Sequence, residues 1–214
     1  EYEDAVMAFV RSALDTSRSN AFLDAFRIFA AHIAELGMRN SLVQLVLKLT
    51  SPGVPDIYQG SELWNLSMVD PDNRRPVDYA LRQSMLSAPG DYRDLMANWH
   101  DGTIKQRLTA DLLALRKRHA DIFSSSHYEP LIAAGESAER ICAFARESGD
   151  ARLVVAVSRF PRRDADPWGD TALVLPAGGP WNDVLADKAV AAGEAAAAGL
   201  FETLPVAVLV QAGQ

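Results

Sequence analysis

SPGVPDIYQGSELWNLSMVDPDNRRPVDYALR, from Ser51 to Arg82, follows a run with almost no polar face: Leu42, Val43, Leu45, Val46, Leu47 and Leu49. A run of that kind predicts a helix buried on most sides. Pro52, Gly53 and Pro55 turn the chain. Val54–Tyr58 is then short, apolar and rich in strand formers, and a long polar loop comes after it. Helix, tight turn, short strand and long loop is the order of an α/β unit. In such units the loop at the C-terminal end of the strand carries the site.

The loop supports two readings, residue by residue. Gly60 lets a backbone or a ligand approach closely. Glu62 accepts hydrogen bonds either from hydroxyls of a ligand or from its own backbone. The acids and arginines of Asp70-Pro71-Asp72-Asn73-Arg74-Arg75-Pro76 either pair with one another and brace a turn, or wall a polar pocket. In the second case carboxylate and guanidinium groups bind a polyhydroxyl ligand through charge-assisted hydrogen bonds. Trp64 either stacks on a sugar face or fills core beneath the loop. Asp70 and Asp72 do not suit a glycosidase pair. They approach from one side, whereas a retaining pair sits about 5–5.5 Å apart flanking the scissile bond.

Outward from the loop, the first half reads as helical. Val6, Phe9, Val10, Ala13 and Leu14 share one face, and Phe22, Ala25, Phe26, Phe29, Ile33 and Leu36 another. Gly37 predicts a helix stop, and Ser41 with Gln44 a capping box opening the next helix. Val77–Leu86 reads as helix. Thr103–His119 is the clearest one, with Ile104, Leu108, Leu112 and Leu115 inward, Thr103 and Gln106 as a second capping box, and Arg116–His119 at the end where cations suit the dipole. Beyond Phe123 the pattern shortens. Tyr128–Ala133, Arg140–Arg146, Leu153–Ser158, Thr171–Leu175, Trp181–Leu185 and Val206–Val210 read as strands of an antiparallel sandwich, with Gly193–Gly199 as an alanine-rich turn.

The 214 residues carry a net charge of −7 and are 49% hydrophobic. That is enough for a real core, and the acidic balance provides no field for nucleic acid or an anionic membrane. No apolar run is long enough to span a bilayer, and no signal peptide is visible, so a cytoplasmic location is expected. The single cysteine, Cys142, reads as a small buried hydrophobe, and no Cys/His spacing suggests a metal. The chain begins at Glu1 rather than Met, as a piece of a longer polypeptide would.

Gly53-Val54-Pro55-Asp56-Ile57-Tyr58-Gln59-Gly60-Ser61-Glu62 resembles the eighth-strand segment of α-amylase-type glycoside hydrolases, Gly-x-Pro-x-Ile-Tyr-x-Gly-x-Glu. The continuation from Leu63 through Tyr79 is similar to the maltooligosyltrehalose synthase family. Leu112–His119 resembles that family's last helix before its C-terminal β-domain, and Ser41–Gln44 with Leu47–Pro52 its approach to strand eight. The resemblance implies the C-terminal part of a (β/α)8 barrel over 1–122, mostly helical here and including the last strand and its loop. An antiparallel β-sandwich over 123–214 follows.

A complete barrel takes about 250 residues, and only one convincing strand is visible in 1–122. The family's three catalytic acids follow earlier strands, and no segment here matches those motifs. No catalytic residue is therefore assigned, and the missing N-terminal part of the barrel becomes an expected partner. The implied reaction converts the reducing-end α-1,4 linkage of a maltooligosaccharide to α-1,1, without cofactor or metal. Tyr58, Gln59, Glu62, Asp70, Asp72, Asn73, Arg74 and Arg75 are the expected substrate-binding residues. The piece alone is expected to be inactive and, with one barrel flank exposed, adhesive. Two other readings stand beside this one. The chain is a stand-alone carbohydrate-binding or scaffolding module with Trp99, Trp168 and Trp181 as a stacking platform, or it is part of another α-glucan hydrolase or transferase of the superfamily.

Overall fold

The structure is a computed structural model that describes all residues except 18, 69, 72, 73, 89, 162–166 and 212–214. It divides into two units, 1–39 and 40–214.

In the first unit α1 (Tyr2–Ala13) precedes α2 (Ala21–Thr50), which continues into the second unit. Asn20 joins the two helices. Its Oδ1 accepts from the amides of Phe22 and Leu23 at 3.1 and 3.3 Å, and its Nδ2 donates to the Ala13 carbonyl at 2.9 Å. That satisfies amides at the start of α2 and a carbonyl at the end of α1. The predicted apolar faces are present but uncovered. Phe9 is 73% exposed, and Phe22 and Phe26 stack on each other at 5.6 Å while both remain exposed.

The stop predicted at Gly37 does not occur, and neither does a new start at Ser41. A glycine inside a helix costs only about 1 kcal/mol relative to alanine. Leu42, Leu45, Val46 and Leu49, at helical spacing, are all buried, and each contributes about 1.5–3 kcal/mol. Tertiary burial overrides the local signal.

The helices of the second unit are α3 (Tyr79–Ser87), α4 (Tyr92–Ala97), α5 (Thr103–Arg118) and α6 (Ala120–Ser125). Asp78 caps α3 and Asp91 caps α4, each accepting the amide three residues on, at 2.8 and 2.9 Å. The capping box predicted at Thr103 and Gln106 is absent. Gly102, at φ 83°, is the N-cap residue, and Gln106 Nε2 donates instead to the Arg82 carbonyl at 2.8 Å. A Cβ on Gly102 would lie 3.0 Å from the Trp64 nitrogen and 3.1 Å from Leu63 Cβ. The glycine serves both the turn and the close approach. Ile104, Leu108, Leu112 and Leu115 are buried as predicted.

Nine strands follow among the described residues: β1 (His127–Leu131), β2 (Ala133–Ala134), β3 (Ile141–Ser148), β4 (Ala151–Ser158), β5 (Ala172–Val174), β6 (Trp181–Asp183), β7 (Lys188–Val190), β8 (Glu194–Ala196) and β9 (Val206–Gln211). They form an antiparallel six-stranded sheet ordered β1-β3-β4-β9-β6-β7 and a three-stranded sheet ordered β2-β5-β8. Period-2 alternation sorts the large sheet's faces. Ala143, Ala145, Val154, Ala156, Ala207 and Leu209 cluster with Leu173 and Ala195 of the small sheet and with Trp181. The opposite parity, Phe144 and Arg146 on β3, belongs to the face toward α6.

Three expectations change here. Gly193–Gly199 is not a plain turn. It supplies β8 and the start of α7 (Ala197–Leu200), because Ala195 pairs with Leu173 and is buried. Cys142 is exposed; the β1–β3 ladder ends at Ala143, one residue short of it. Val54–Tyr58 forms no strand, since a strand needs a ladder partner and none among the described residues pairs with it.

Asp183 is buried, and burial raises its carboxyl above the ordinary 3.8, partly offset by the Leu185 and Ala186 amides it accepts. A carboxyl whose folded value is raised holds its proton more tightly in the native state. Its contribution to stability is therefore lost as pH rises from the ordinary value through the folded one. Asp183→Asn keeps a side-chain oxygen for both amides and loses the charge. Its melting temperature relative to the parent should rise from about pH 4 to about pH 7; a difference flat across that range contradicts the assignment.

Candidate functional site: the loop between α2 and α3

The loop begins where α2 ends. Ser51 N donates to the Leu47 carbonyl at 2.9 Å, and Lys48 Nζ to the Asp56 carbonyl at 3.1 Å. A tight turn comes next, in which Ser61 N and Ser61 Oγ both donate to the Tyr58 carbonyl, at 3.1 and 2.6 Å. Gly60 takes φ 86° there, and a Cβ on it would meet Val77 Cγ2 at 3.0 Å.

Arg82, one turn into α3, holds this turn from the far side. Its Nε donates to Glu62 Oε2 at 2.9 Å, its Nη2 to the Gly60 carbonyl at 3.1 Å and its Nη1 to the Asp78 carbonyl at 3.1 Å. Glu62 Oε1 accepts from Gly60 N at 3.3 Å. The two side chains are 16% and 25% exposed, so the pair is largely withdrawn from solvent. Tyr79 OH adds a hydrogen bond to Gln59 Oε1 at 3.1 Å.

Further along, Trp64 Nε1 donates to the Trp99 carbonyl at 2.7 Å, and Lys105 Nζ donates to the Leu63 carbonyl at 3.1 Å while lying 5.8 Å from the Trp64 ring centre. Burial lowers the Lys105 ammonium from its ordinary value. Trp64 therefore lies against the helical layer and is half-buried. Of the other tryptophans, Trp181 is buried, and Trp168 stacks with Arg140 at 4.0 Å and Phe201 at 5.1 Å. Packing takes up those two rings, and no three-ring platform forms with Trp99.

The loop encloses an open hollow of about 430 Å³ lined by Gln59, Gly60, Asn65 to Ser67, Arg75 to Asp78, and Arg82. Two amides, a hydroxyl, two guanidiniums and the Asp78 carboxylate alternate there with Leu66, Pro76 and Val77. Such a mixture of fixed donors, acceptors and apolar surface suits a ligand with many hydroxyls. No cluster of His, Cys, Asp and Glu able to hold a metal occurs among the described residues.

Of the residues singled out from sequence, Gln59 and Arg75 line the hollow. Glu62 is the brace to Arg82. Asp70 and Arg74 form a two-pronged pair at 2.6 and 2.7 Å, more than half exposed on both sides. Tyr58 is about half exposed and is not part of the lining. Asp72 and Asn73 lie outside the described residues. Asn65, Ser67, Asp78 and Arg82 were not singled out. For Arg82 a signal exists, its position four residues after the cap residue Asp78; Asn65 and Ser67 carry none beyond being polar.

A similar fold occurs in other solved enzymes. A γ-CGTase from alkalophilic Bacillus clarkii matches 83% of this chain and 24% of its own with a TM-score of 0.52; at 17% identity the likeness is one of fold. More similar are maltooligosyltrehalose synthases. That of Arthrobacter ramosus superposes on 99% of this chain and 27% of its own, with a TM-score of 0.79 and 30% identity. A putative maltooligosyl trehalose synthase of Mycobacterium tuberculosis, strain H37Rv, is 39% identical over 211 residues, 98% of this chain. The chain is thus related in sequence and in fold to the maltooligosyltrehalose synthases. It spans about a quarter, 25%, of the length of the curated relatives it matches. No family model matches the chain.

The two arginine pairs should separate in stability. Arg82→Ala leaves Glu62 and the Gly60 carbonyl without their donor in a half-dry setting, at a cost of about 1–3 kcal/mol. Arg74→Ala removes a surface pair, at a cost below about 1 kcal/mol. Urea unfolding of both variants measures the contrast, and equal losses would mean that the Arg82 contacts do not brace the loop.

Proposed function

We propose that this chain is the C-terminal portion of a maltooligosyltrehalose synthase. On this reading residues 1–122 complete a (β/α)8 barrel and residues 123–214 form its C-terminal antiparallel β-sandwich. The observation that carries the proposal is 39% identity running through the loop and nearly the whole chain.

The reaction is an intramolecular glucosyl transfer, an isomerisation. A carboxylate attacks the anomeric carbon next to the reducing-end glucose of a maltooligosaccharide and displaces that glucose. The covalent glycosyl intermediate is then attacked by the anomeric hydroxyl of the released glucose instead of water, giving the α-1,1 linkage. The acids that perform this belong to the N-terminal part of the barrel. The loop residues hold the released glucose and keep water away from the intermediate.

Within the loop, the geometry supports a division of roles. Gln59 and Arg75 line the hollow and act on the sugar, joined by Asn65 and Ser67, whereas Glu62, Asp70 and Arg74 hold loop geometry. Tyr58, Asp72 and Asn73 stay with the substrate-binding set on the resemblance. No helix among the described residues is long and apolar enough to cross a membrane, which is compatible with the cytoplasmic location we propose.

The test uses the full-length polypeptide that carries this chain, with maltopentaose as substrate. Arg75→Ala should lower the ratio of non-reducing product to free glucose by about tenfold or more, the loss of one hydrogen bond to a charged group. An unchanged ratio and an unchanged KM would remove the loop from the mechanism. The 214-residue chain alone should yield no α-1,1 product, and product formation by it would overturn the placing of the acids outside this chain.

A further inference from the structure

The last turn of α2 is held by two arginines that come from different layers of the second unit. Arg116, near the end of α5, donates from Nη1 to the Leu49 carbonyl at 2.7 Å and from Nη2 to the Gly53 carbonyl at 3.4 Å. Arg146, on β3, donates from Nη1 to the Thr50 carbonyl at 3.0 Å and from Nε to Ser126 Oγ at 2.7 Å. Both guanidiniums face the ring of Phe123, at 4.6 and 5.4 Å from its centre. Arg146 is 2% exposed, and Leu49 and Thr50 are fully buried.

This arrangement is more than a cap requires. A glycine in the left-handed conformation commonly closes a helix end with backbone alone. Here two like charges meet over one ring, with Arg146 buried and Arg116 partly so. Burial lowers the Arg146 guanidinium from its ordinary value, and the neighbouring charge of Arg116 lowers it further. The opposing terms are the carbonyls at the negative end of the helix dipole and the face of the phenylalanine ring. A planar fork holds its donors in a fixed geometry that meets two acceptors at once, which the point-like ammonium of lysine does not reproduce.

We propose that Arg146 and Arg116 are positioning residues for the sugar site. They fix the end of α2, and with it the segment from Ser51 to Glu62 that carries Gln59 to the hollow. Through Arg146 the β-sheet domain takes part in the selection of transfer over hydrolysis without touching the sugar. Only five residues separate Gly53 from Gln59, so a shift at the helix end is carried into the turn at Tyr58–Ser61. A misplacement of about 1 Å in a positioning element costs up to roughly a hundredfold in rate. The inference rests on the assignment of the loop to the glucose end of the site.

The experiment has two arms. In the 214-residue chain, Arg146→Met keeps the length of the side chain and removes its donors. Amide hydrogen exchange across residues 51–62 should speed up about tenfold, while that of Val154–Val157 in β4 stays as in the parent. Arg146→Lys should recover part of the protection. Should Arg146→Met fail to fold, Ser126→Ala, which removes only the second anchor of the guanidinium, gives the same local pattern in weaker form. Exchange in 51–62 that is unchanged, or raised no more than in β4, overturns the clamp whatever the loop does.

In the full-length polypeptide, Arg146→Met should lower the ratio of α-1,1 product to free glucose by at least about fivefold, with partial rescue by lysine. A merely structural residue would lower both products together and leave the ratio alone. If Arg75→Ala shifts the ratio and Arg146→Met does not, the positioning inference fails while the loop assignment stands. If Arg75→Ala leaves the ratio unchanged, the loop assignment fails first and takes the positioning inference with it.

Discussion

A helix that ends inside a protein must find partners for its last carbonyls, and α2 ends inside this one. Thr50 is fully buried, and its carbonyl and that of Leu49 would each cost about 1–3 kcal/mol if left bare. The partners are Arg146 and Arg116, with Phe123 between them. These contacts join α5, α6 and β3 at one point, and the loop starts there. Without them α2 would fray from its C-terminal end, and the residues after it would have no fixed origin.

From that origin the loop is fixed a second time, by α3 at its far end. Arg82 lies twenty residues beyond Glu62, yet its three kinds of nitrogen reach Glu62, the Gly60 carbonyl and the Asp78 carbonyl. The Arg82 carbonyl in turn accepts from Gln106 of α5. The loop is therefore held between the end of one helix, bonded to Arg116 of α5, and the first turns of the next, bonded to Gln106 of α5. Asp70 and Arg74 contribute differently. Their geometry is good, but solvent screens them, so the pair adds little to the hold on the loop.

Much of this was legible. The helix at Thr103 announced itself because Ile104, Leu108, Leu112 and Leu115 repeat at one period, and the six expected strands because apolar runs alternate with turn residues. The loop stood out by composition and then by resemblance. What the sequence hid has a physical reason in each case. Gly37 carries a stop signal of about 1 kcal/mol, and burial of four large side chains further along outweighs it. Ala195 and its neighbours have too little hydrophobic weight to mark a strand until Leu173 pairs with them. Arg74 and Arg75 are adjacent and chemically identical, yet one turns onto Asp70 and the other lines the hollow. That choice is made by backbone direction, which composition does not encode. Arg82 is marked in the sequence only by its place four residues after the cap residue Asp78, and the folding back of α3 makes it the brace of the loop.

The segment Val54–Tyr58 shows how these anchors act together. Its burial alternates residue by residue, with Pro55 and Ile57 partly covered and Val54, Asp56 and Tyr58 exposed, the period of a strand. Yet it has no ladder among the described residues, and Val54 is 97% exposed. Side-chain alternation without pairing requires another cause. The anchors supply it. Arg116 holds the Gly53 carbonyl and Lys48 the Asp56 carbonyl on one side, and the Tyr58–Ser61 turn is locked by serine on the other. Five residues reach at most about 17 Å, so a chain pinned at both ends over so short a stretch has few conformations left. Under the proposed function, this is the strand of the barrel held ready in shape before its neighbours are in place. It also explains why the contacts at its two ends are charged and specific while its own side chains remain largely uncovered.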